Sequence, residues 1–139
     1  MLTGICIIAH APLASALKTC AQHIFSTTQD RCAERILAYD VPPGVDVSEG
    51  IARARCLVKE LLTQKQGVLV FTDLTGATPA NIARSILEDS PNVRVVSGTN
   101  LPAIIAALSA PTDAPVSQVA LIAEAAARAS LSTITECHT

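Results

Sequence analysis

The sequence contains almost no aromatic residues, and its charges are few and balanced. Of its 139 residues, one is Tyr, two are Phe and none is Trp, and the formal net charge is −2. Proteins that bind nucleic acids stack bases on aromatic side chains or present an excess of positive charge. The composition therefore argues against a nucleic-acid partner, and it leaves Leu, Ile, Val and Ala to form the core.

The cysteines form no recognisable motif. They are odd in number and include no Cys-x-x-Cys pair: Cys6, Cys20, Cys32, Cys56 and Cys137. This pattern favours reduced thiols over a disulfide framework or a metal site. The dinucleotide-binding glycine fingerprint and the phosphate-loop motif ending in Gly-Lys-Ser/Thr are also missing. We therefore expect neither a metal nor a cofactor.

The two longest uncharged stretches make poor membrane segments. In residues 1–17 no Lys or Arg precedes the apolar part, and His10 and Pro12 interrupt it. Residues 95–112 are interrupted by a glycine, an asparagine and two prolines. With no signal peptide and no membrane span expected, the sequence predicts a cytoplasmic protein.

One stretch in the middle of the chain carries the most informative pattern. Val68–Phe71 is an apolar run, which predicts a strand buried on both faces. The run ends at Asp73, and a turn containing Gly76 follows. Thr78 and Pro79 then predict an N-cap and the first position of a helix. The pattern thus places a carboxylate at the end of a strand, beside the free N–H groups of a helix start, which favour anions.

Predicted strands and helices alternate along the whole chain. Strands are expected at 3–9, 36–41, 68–71 and 93–97, and helices at 12–24, 46–66, 79–87, 101–108 and 116–129, with Gly67 as the stop of the second helix. Such alternation predicts an α/β fold: a single domain over 1–139 with an open, doubly wound, mainly parallel sheet in the order 2-1-3-4.

In that strand order the first and third strands are neighbours. His10 ends the first and Asp73 ends the third, so the imidazole and the carboxylate are expected to meet at the crevice where the strand order reverses. A carboxylate bound to one ring nitrogen leaves the other as a nucleophile. On the residues alone, His10 could equally be a solvated strand-end residue, and Asp73 the cap of its own turn.

Three stretches of the chain together match a known family. They are Ile7–Ala14, with its Ile-Ile-Ala-His-Ala-Pro-Leu-Ala sequence, Gly67–Asn81, and Val95–Pro102. In this order and spacing the chain, over about residues 3–130, resembles the enzyme IIA components of the mannose family of the bacterial sugar phosphotransferase system. That family includes the mannose, fructose and sorbose types.

The resemblance implies a phosphotransferase that works through a phosphohistidine intermediate. His10 would accept a phosphoryl group from the histidine phosphocarrier protein and pass it to a IIB component for sugar uptake and phosphorylation. Asp73 corresponds to the carboxylate that orients the histidine. Thr75, Gly76 and Thr78 are expected to bind the phosphoryl group, and Thr78 corresponds to the family's hydroxyl residue at the helix start.

The resemblance also implies a homodimer in which a C-terminal edge strand is exchanged. Apolar and polar residues alternate weakly over Leu131–Thr135, and this segment could be that strand. Contact with a membrane is expected only indirectly, through permease subunits. The chain has Ala11 and Ala77 where the family usually has glycine, so two methyl groups are added near the expected phosphoryl pocket.

Two alternatives would use the same histidine. One is a free-standing regulatory IIA whose phosphorylation state controls its binding to a regulatory protein. The other is the phosphotransferase subunit of dihydroxyacetone kinase. The loop of that subunit typically reads Asp-Leu-Gly-Ser, whereas here it reads Asp-Leu-Thr-Gly-Ala-Thr-Pro over residues 73–79.

Overall fold

A parallel sheet forms the centre of the structure, a computed structural model that describes residues 2–25 and 35–136. Its strands are β1 (Thr3–His10), β2 (Ile36–Val41), β3 (Gly67–Thr72) and β4 (Val93–Val96). They lie in the order β2-β1-β3-β4, and every neighbouring pair is parallel. The strand order predicted from the sequence is confirmed.

Helices cover both faces of the sheet. They are α1 (Leu13–Phe25), α2 (Val47–Leu62), α3 (Thr78–Ile86), α4 (Leu101–Leu108) and α5 (Val116–Ser130), with a short 3-10 turn at Leu87–Asp89. Helices α1, α4 and α5 pack on one face, and α2 and α3 pack on the other. The doubly wound α/β class is therefore confirmed. None of the helices in the described ranges is long and apolar enough to cross a bilayer.

The middle parts of the first and third strands are apolar because both faces of these strands are covered. Ile5, Ile7 and Phe71 lie in the core on the α1 side, while Cys6 and Val70 lie in the core on the α2 side. Cys6 is completely buried, and this burial raises the pKa of its thiol to about 12. The thiol therefore stays protonated at neutral pH, as expected for a core residue.

The predicted end of the second helix was wrong. Helix α2 ends at Leu62, not near Gln66, and Gly67 is the first residue of β3 rather than a helix stop. A Cβ atom at Gly67 would lie 2.9 Å from the backbone oxygen of Asn92 and 2.9 Å from Cβ of Val116. The glycine is needed because neighbouring chain segments approach β3 closely at this point.

The C-terminal region leaves apolar side chains exposed in the single chain. One face of α5 is buried, but Leu121 on the same helix is exposed. Residues 131–135 form no strand within the chain, and Leu131 and Ile134 are 87% and 89% exposed. A strand needs a partner for its backbone groups, and a second chain could provide one. The exchange of this segment between two chains stays a prediction.

Candidate functional site

His10 and Asp73 meet at the carboxyl edge of the sheet. Strands β1 and β3 are neighbours with Ile8 opposite Thr72, so the residues that follow leave the sheet side by side. Nδ1 of His10 lies 2.7 Å from Oδ2 of Asp73, and the backbone N–H of His10 donates to the same oxygen at 3.0 Å. The structure thus brings together two residues that the sequence separates widely.

The carboxylate of Asp73 is held in its ionised form. Its Oδ1 accepts the backbone N–H of Leu74 at 2.9 Å, while Oδ2 accepts the two groups of His10. Partial burial opposes ionisation, but the hydrogen bonds and the charge interaction with His10 outweigh it and hold the pKa of Asp73 below its usual value. The site therefore contains a negative charge at neutral pH.

This arrangement fixes the tautomer of the histidine. An ionised carboxylate can only accept hydrogen bonds, so Nδ1 of His10 must carry the proton and donate it to Asp73. The lone pair is then left on Nε2. The side chain of His10 is 54% exposed, whereas that of Asp73 is 13% exposed. The pair therefore presents a nucleophilic nitrogen to a molecule that approaches from solvent.

The turn that follows His10 is anchored to β2. The backbone N–H of Ala11 donates to the carbonyl of Val41 at 3.0 Å. Asp40 accepts the backbone N–H of Ser15 at 2.9 Å and the hydroxyl of Ser15 at 2.5 Å. Ser15 is the third residue of α1, so Asp40 caps that helix from the neighbouring strand.

Four helices begin at this edge of the sheet, one after each strand, and among them only α3 begins without a side-chain acceptor. Asp46 caps the start of α2 by accepting the N–H of Ser48. Asp40 occupies the start of α1, and the side chain of Asn100 accepts the N–H of Ala103 at the start of α4 at 3.1 Å. Helix α3 has Ala77 at its N-cap and no side-chain hydrogen bond there. The N–H groups at the start of α3 therefore remain the ones available to an anion.

The position of Thr78 differs from the sequence prediction. We expected Thr78 to be the N-cap and Pro79 the first helical residue, but the N-cap is Ala77 and Thr78 is the first residue of α3. Thr78 has helical backbone geometry and cannot place its hydroxyl as a cap does. The earlier start means that the residue at the cap position has no polar side chain.

The other two predicted phosphate-binding residues lie in the loop between β3 and α3. Gly76 has a φ of +89°, which favours glycine because side chains with a Cβ rarely adopt it. The hydroxyl of Thr75 bonds to the hydroxyl of Ser97 at 2.7 Å, on the β4 side of the loop. The structure places Thr75, Gly76 and Thr78 in one segment with Asp73, and their role toward a phosphoryl group stays a prediction.

Sequence reasoning missed Asp40, Ser15 and Ser97. Asp40 is a carboxylate near the end of a predicted strand, so the argument that identified Asp73 applies to it equally. Ser97 follows β4 in the same way. Ser15 shows no local signal, because it is one of several small residues in an apolar helix.

Fold and site together define a class: an open α/β protein with an exposed imidazole, hydrogen-bonded to a carboxylate, where the strand order reverses. A family model described as PTS system fructose IIA component (EIIA-man) matches residues 4–135. The chain belongs to this family and is a IIA-type component of the sugar phosphotransferase system.

Solved structures agree with this assignment. The chain is similar to the mannose/sorbose specific IIA subunit of the phosphotransferase system from Enterococcus faecalis, with 24% identity, a TM-score of 0.84 and coverage of 100% of this chain and 99% of that one. It is also similar to the PTS IIA protein associated with the fucose utilization operon from Streptococcus pneumoniae, with 26% identity, a TM-score of 0.76 and coverage of 95% and 96%. No curated protein sequence gives a significant match.

Proposed function

We propose that this chain is a phosphohistidine carrier, in which Nε2 of His10 accepts a phosphoryl group from the histidine phosphocarrier protein and passes it to a IIB component for sugar uptake and phosphorylation. The observation that carries the proposal is the 2.7 Å contact between Nδ1 of His10 and Asp73, together with the exposure of the ring. A histidine held in this way is oriented for nucleophilic attack through Nε2.

The transfer step follows from that geometry. The lone pair on Nε2 of His10 attacks the phosphorus of the donor's phosphohistidine, the phosphorus–nitrogen bond of the donor breaks, and the electron pair returns to the donor's ring. Nδ1 keeps its proton, so the His10 ring gains positive charge as the new bond forms. The ionised Asp73 stabilises this charge because it lies within hydrogen-bond distance.

The start of α3 supports the same proposal from the phosphate side. It has no side-chain cap, and it follows the loop that carries Asp73. We propose that its N–H groups, with the loop residues Thr75, Gly76 and Thr78, receive the phosphoryl oxygens. Anions are favoured at such a helix start because the unpaired N–H groups and the helix dipole both point at them.

Exposed leucines beside the site suit transfer between proteins. Leu74, the neighbour of Asp73, is 62% exposed, and Leu13 at the start of α1 is 39% exposed. Apolar side chains around a reactive group give a partner protein surface to bury. The proposed partners are the histidine phosphocarrier protein and a IIB component, so the chain would act in the cytoplasm and meet the membrane only through permease subunits.

The proposal includes a homodimer. Strand β4 lies at one edge of the sheet, so one side of its backbone has no strand partner within the described chain. The segment 131–135, with Leu131 and Ile134 exposed, would cover an edge strand of a second copy. Both features are explained if two chains exchange their C-terminal segments.

Phosphorylation of the purified chain tests the carrier function. With phosphoenolpyruvate and the general phosphotransferase proteins, the chain should take up phosphate that is released by acid, as phosphoimidazole is. The His10→Ala variant should take up none, while His23→Ala, which removes a histidine from the far end of α1, should be labelled normally. Label that persists in the His10→Ala variant would refute the assignment.

The partner decides between uptake and regulation. Phosphorylated and unphosphorylated protein should be immobilised separately and exposed to purified IIB component. Transfer of the phosphoryl group to IIB supports the uptake role. Stable binding of one form to a regulatory protein, without transfer to IIB, would assign the chain to the regulatory type instead.

A further inference from the structure

A pocket lies on the α3 side of the sheet, next to the edge strand β4. It has a volume of about 200 Å³, and its apolar wall consists of Ala80 and Leu87 on one side and Val95 of β4 on the other. His10 and Asp73 are not among its lining residues. The pocket is therefore distinct from the imidazole–carboxylate pair, although the loop after β3 borders both.

One residue that lines this pocket has a buried hydroxyl without a partner among the described residues. Thr72, the last residue of β3, lines the pocket and is completely buried. Its Oγ1 makes no hydrogen bond to any of the described residues. Buried hydroxyls in folded proteins are nearly always hydrogen-bonded, so an unpartnered one beside a cavity indicates a group that enters the cavity.

The pocket also contains an arginine that has no partner among the described residues. Arg84 lines it from the middle of α3, where it is exposed and makes no ion pair with any of the described residues. No Asp or Glu lines the pocket. A guanidinium is a strong partner for carboxylate and phosphate groups, because its N–H groups match their oxygens in pairs.

Two further hydroxyls complete the polar side of the pocket. Thr75 and Ser97 both line it and are bonded to each other at 2.7 Å. In such a pair one hydroxyl donates and the other keeps its proton for a further acceptor. The polar lining residues thus supply a positive charge and hydroxyl donors, and the other lining residues are apolar.

We propose that this pocket binds a small organic oxyanion, which is a phosphate monoester or a carboxylate with a short carbon body. The charged group contacts Arg84 and Ser97, an oxygen of the ligand bonds to the hydroxyl of Thr72, and the carbon body lies against Ala80 and Leu87. The proposal does not depend on phosphorylation of His10.

The test is a titration of the unphosphorylated full chain, followed by amide NMR at constant ionic strength. Glycerol phosphate is the phosphate-monoester probe, and lactate is the carboxylate probe. We expect saturable chemical-shift changes at Thr72, Arg84 and Ser97 with at least one of the two probes. The probe that binds more tightly identifies the charged group of the ligand. Absence of saturable shifts with both probes up to about 10 mM would overturn the proposal.

Matched variants locate the binding. Arg84→Gln should weaken it at least tenfold, while Arg53→Gln, which removes the same charge from α2 outside the pocket, should leave it unchanged. His10→Ala should also bind normally. Loss of binding in the His10→Ala variant would place the anion at the histidine site and contradict the inference.

Two threonines provide a second pair of variants. Thr3 and Thr72 each have a buried Oγ1 without a hydrogen-bond partner among the described residues, but only Thr72 lines the pocket. Changing either to Val replaces the hydroxyl by a methyl of similar size, so both variants should melt at a higher temperature. Only Thr72→Val should bind the anion more weakly, and equal binding by both variants would contradict the inference.

A deletion distinguishes the anion from a second copy of the chain. If the C-terminal segment of another subunit filled the pocket, the full chain would show no anion binding and a chain that ends at Ser130 would gain it. That result would overturn the proposal, since it makes the segment the natural occupant. Equal binding by both chains supports the anion.

Discussion

Replacing Asp73 by Asn tests the central contact of the site. The carboxylate accepts three N–H groups, two from His10 on Oδ2 and one from Leu74 on Oδ1. An asparagine side chain has one acceptor oxygen and one NH₂ group. In either orientation the NH₂ group faces an N–H donor, so at least one of the three hydrogen bonds is lost together with the negative charge.

The magnitude follows from the hydrogen bonds. A bond to a charged group contributes about 1.5–3 kcal/mol, and removing it in the transition state lowers a rate about tenfold for each 1.4 kcal/mol. The charge matters most when the His10 ring becomes positive during transfer. We therefore expect phosphoryl transfer to His10 to fall by about 10²-fold in the Asp73→Asn variant, with the fold retained because Asp73 lies at a strand end outside the core.

The assay is single-turnover transfer from the phosphorylated histidine phosphocarrier protein, with thermal unfolding measured on the same samples. Asp46→Asn is the matched control: it makes the same change at the N-cap of α2, where the carboxylate accepts the N–H of Ser48 at 3.2 Å. This control should transfer at the wild-type rate. A folded Asp73→Asn protein that also transfers at the wild-type rate would refute the role assigned to the carboxylate.

Three further predictions concern stability and assembly. The lowered pKa of Asp73 means that its ionised form stabilises the fold at pH values above its ordinary value of 3.8 and that this contribution is lost as the pH falls through the lowered value. Acid denaturation should therefore separate wild type from Asp73→Asn above this range and bring the two curves together below it. Gly67→Ala should lower the free energy of unfolding in denaturant titrations by roughly 1–3 kcal/mol, because the new methyl group would lie 2.9 Å from the backbone oxygen of Asn92, and an unchanged value would contradict the close packing. The full chain should be a dimer by light scattering, and a chain that ends at Ser130 should be a monomer at micromolar concentration. A dimer that survives this deletion would exclude exchange of the C-terminal segment.

The sheet and the approach of His10 to Asp73 could be predicted from the sequence because their signals are local. Ile5–Ala9 and Val68–Phe71 are continuous apolar runs, and such runs become strands covered on both faces. Alternation of strands with helices restricts the topology to few arrangements, since crossovers between parallel strands are right-handed. The ends of neighbouring parallel strands then lie at the same edge.

Helix boundaries were less predictable, since turn residues permit several starts and ends within a few positions. Thr78 and Pro79 have the composition of a cap and a first helical residue, yet the helix begins one residue earlier, with Ala77 as its N-cap. Gly67 has the composition of a helix stop, but it lies in a strand where another segment approaches too closely for a Cβ atom.

The sequence by itself determined the fold class, the strand order and the two residues at the crevice, because apolar periodicity and strand ends can be recognised from short stretches of consecutive residues. Tertiary structure alone decided which helix start stays open: Asp40 reaches Ser15 across 25 positions of sequence and occupies the start of α1. It also decided that Thr75 bonds to Ser97 and that the hydroxyl of Thr72 has no partner among the described residues. Such contacts depend on strand register and on the path of each loop, and neither leaves a local mark in the sequence.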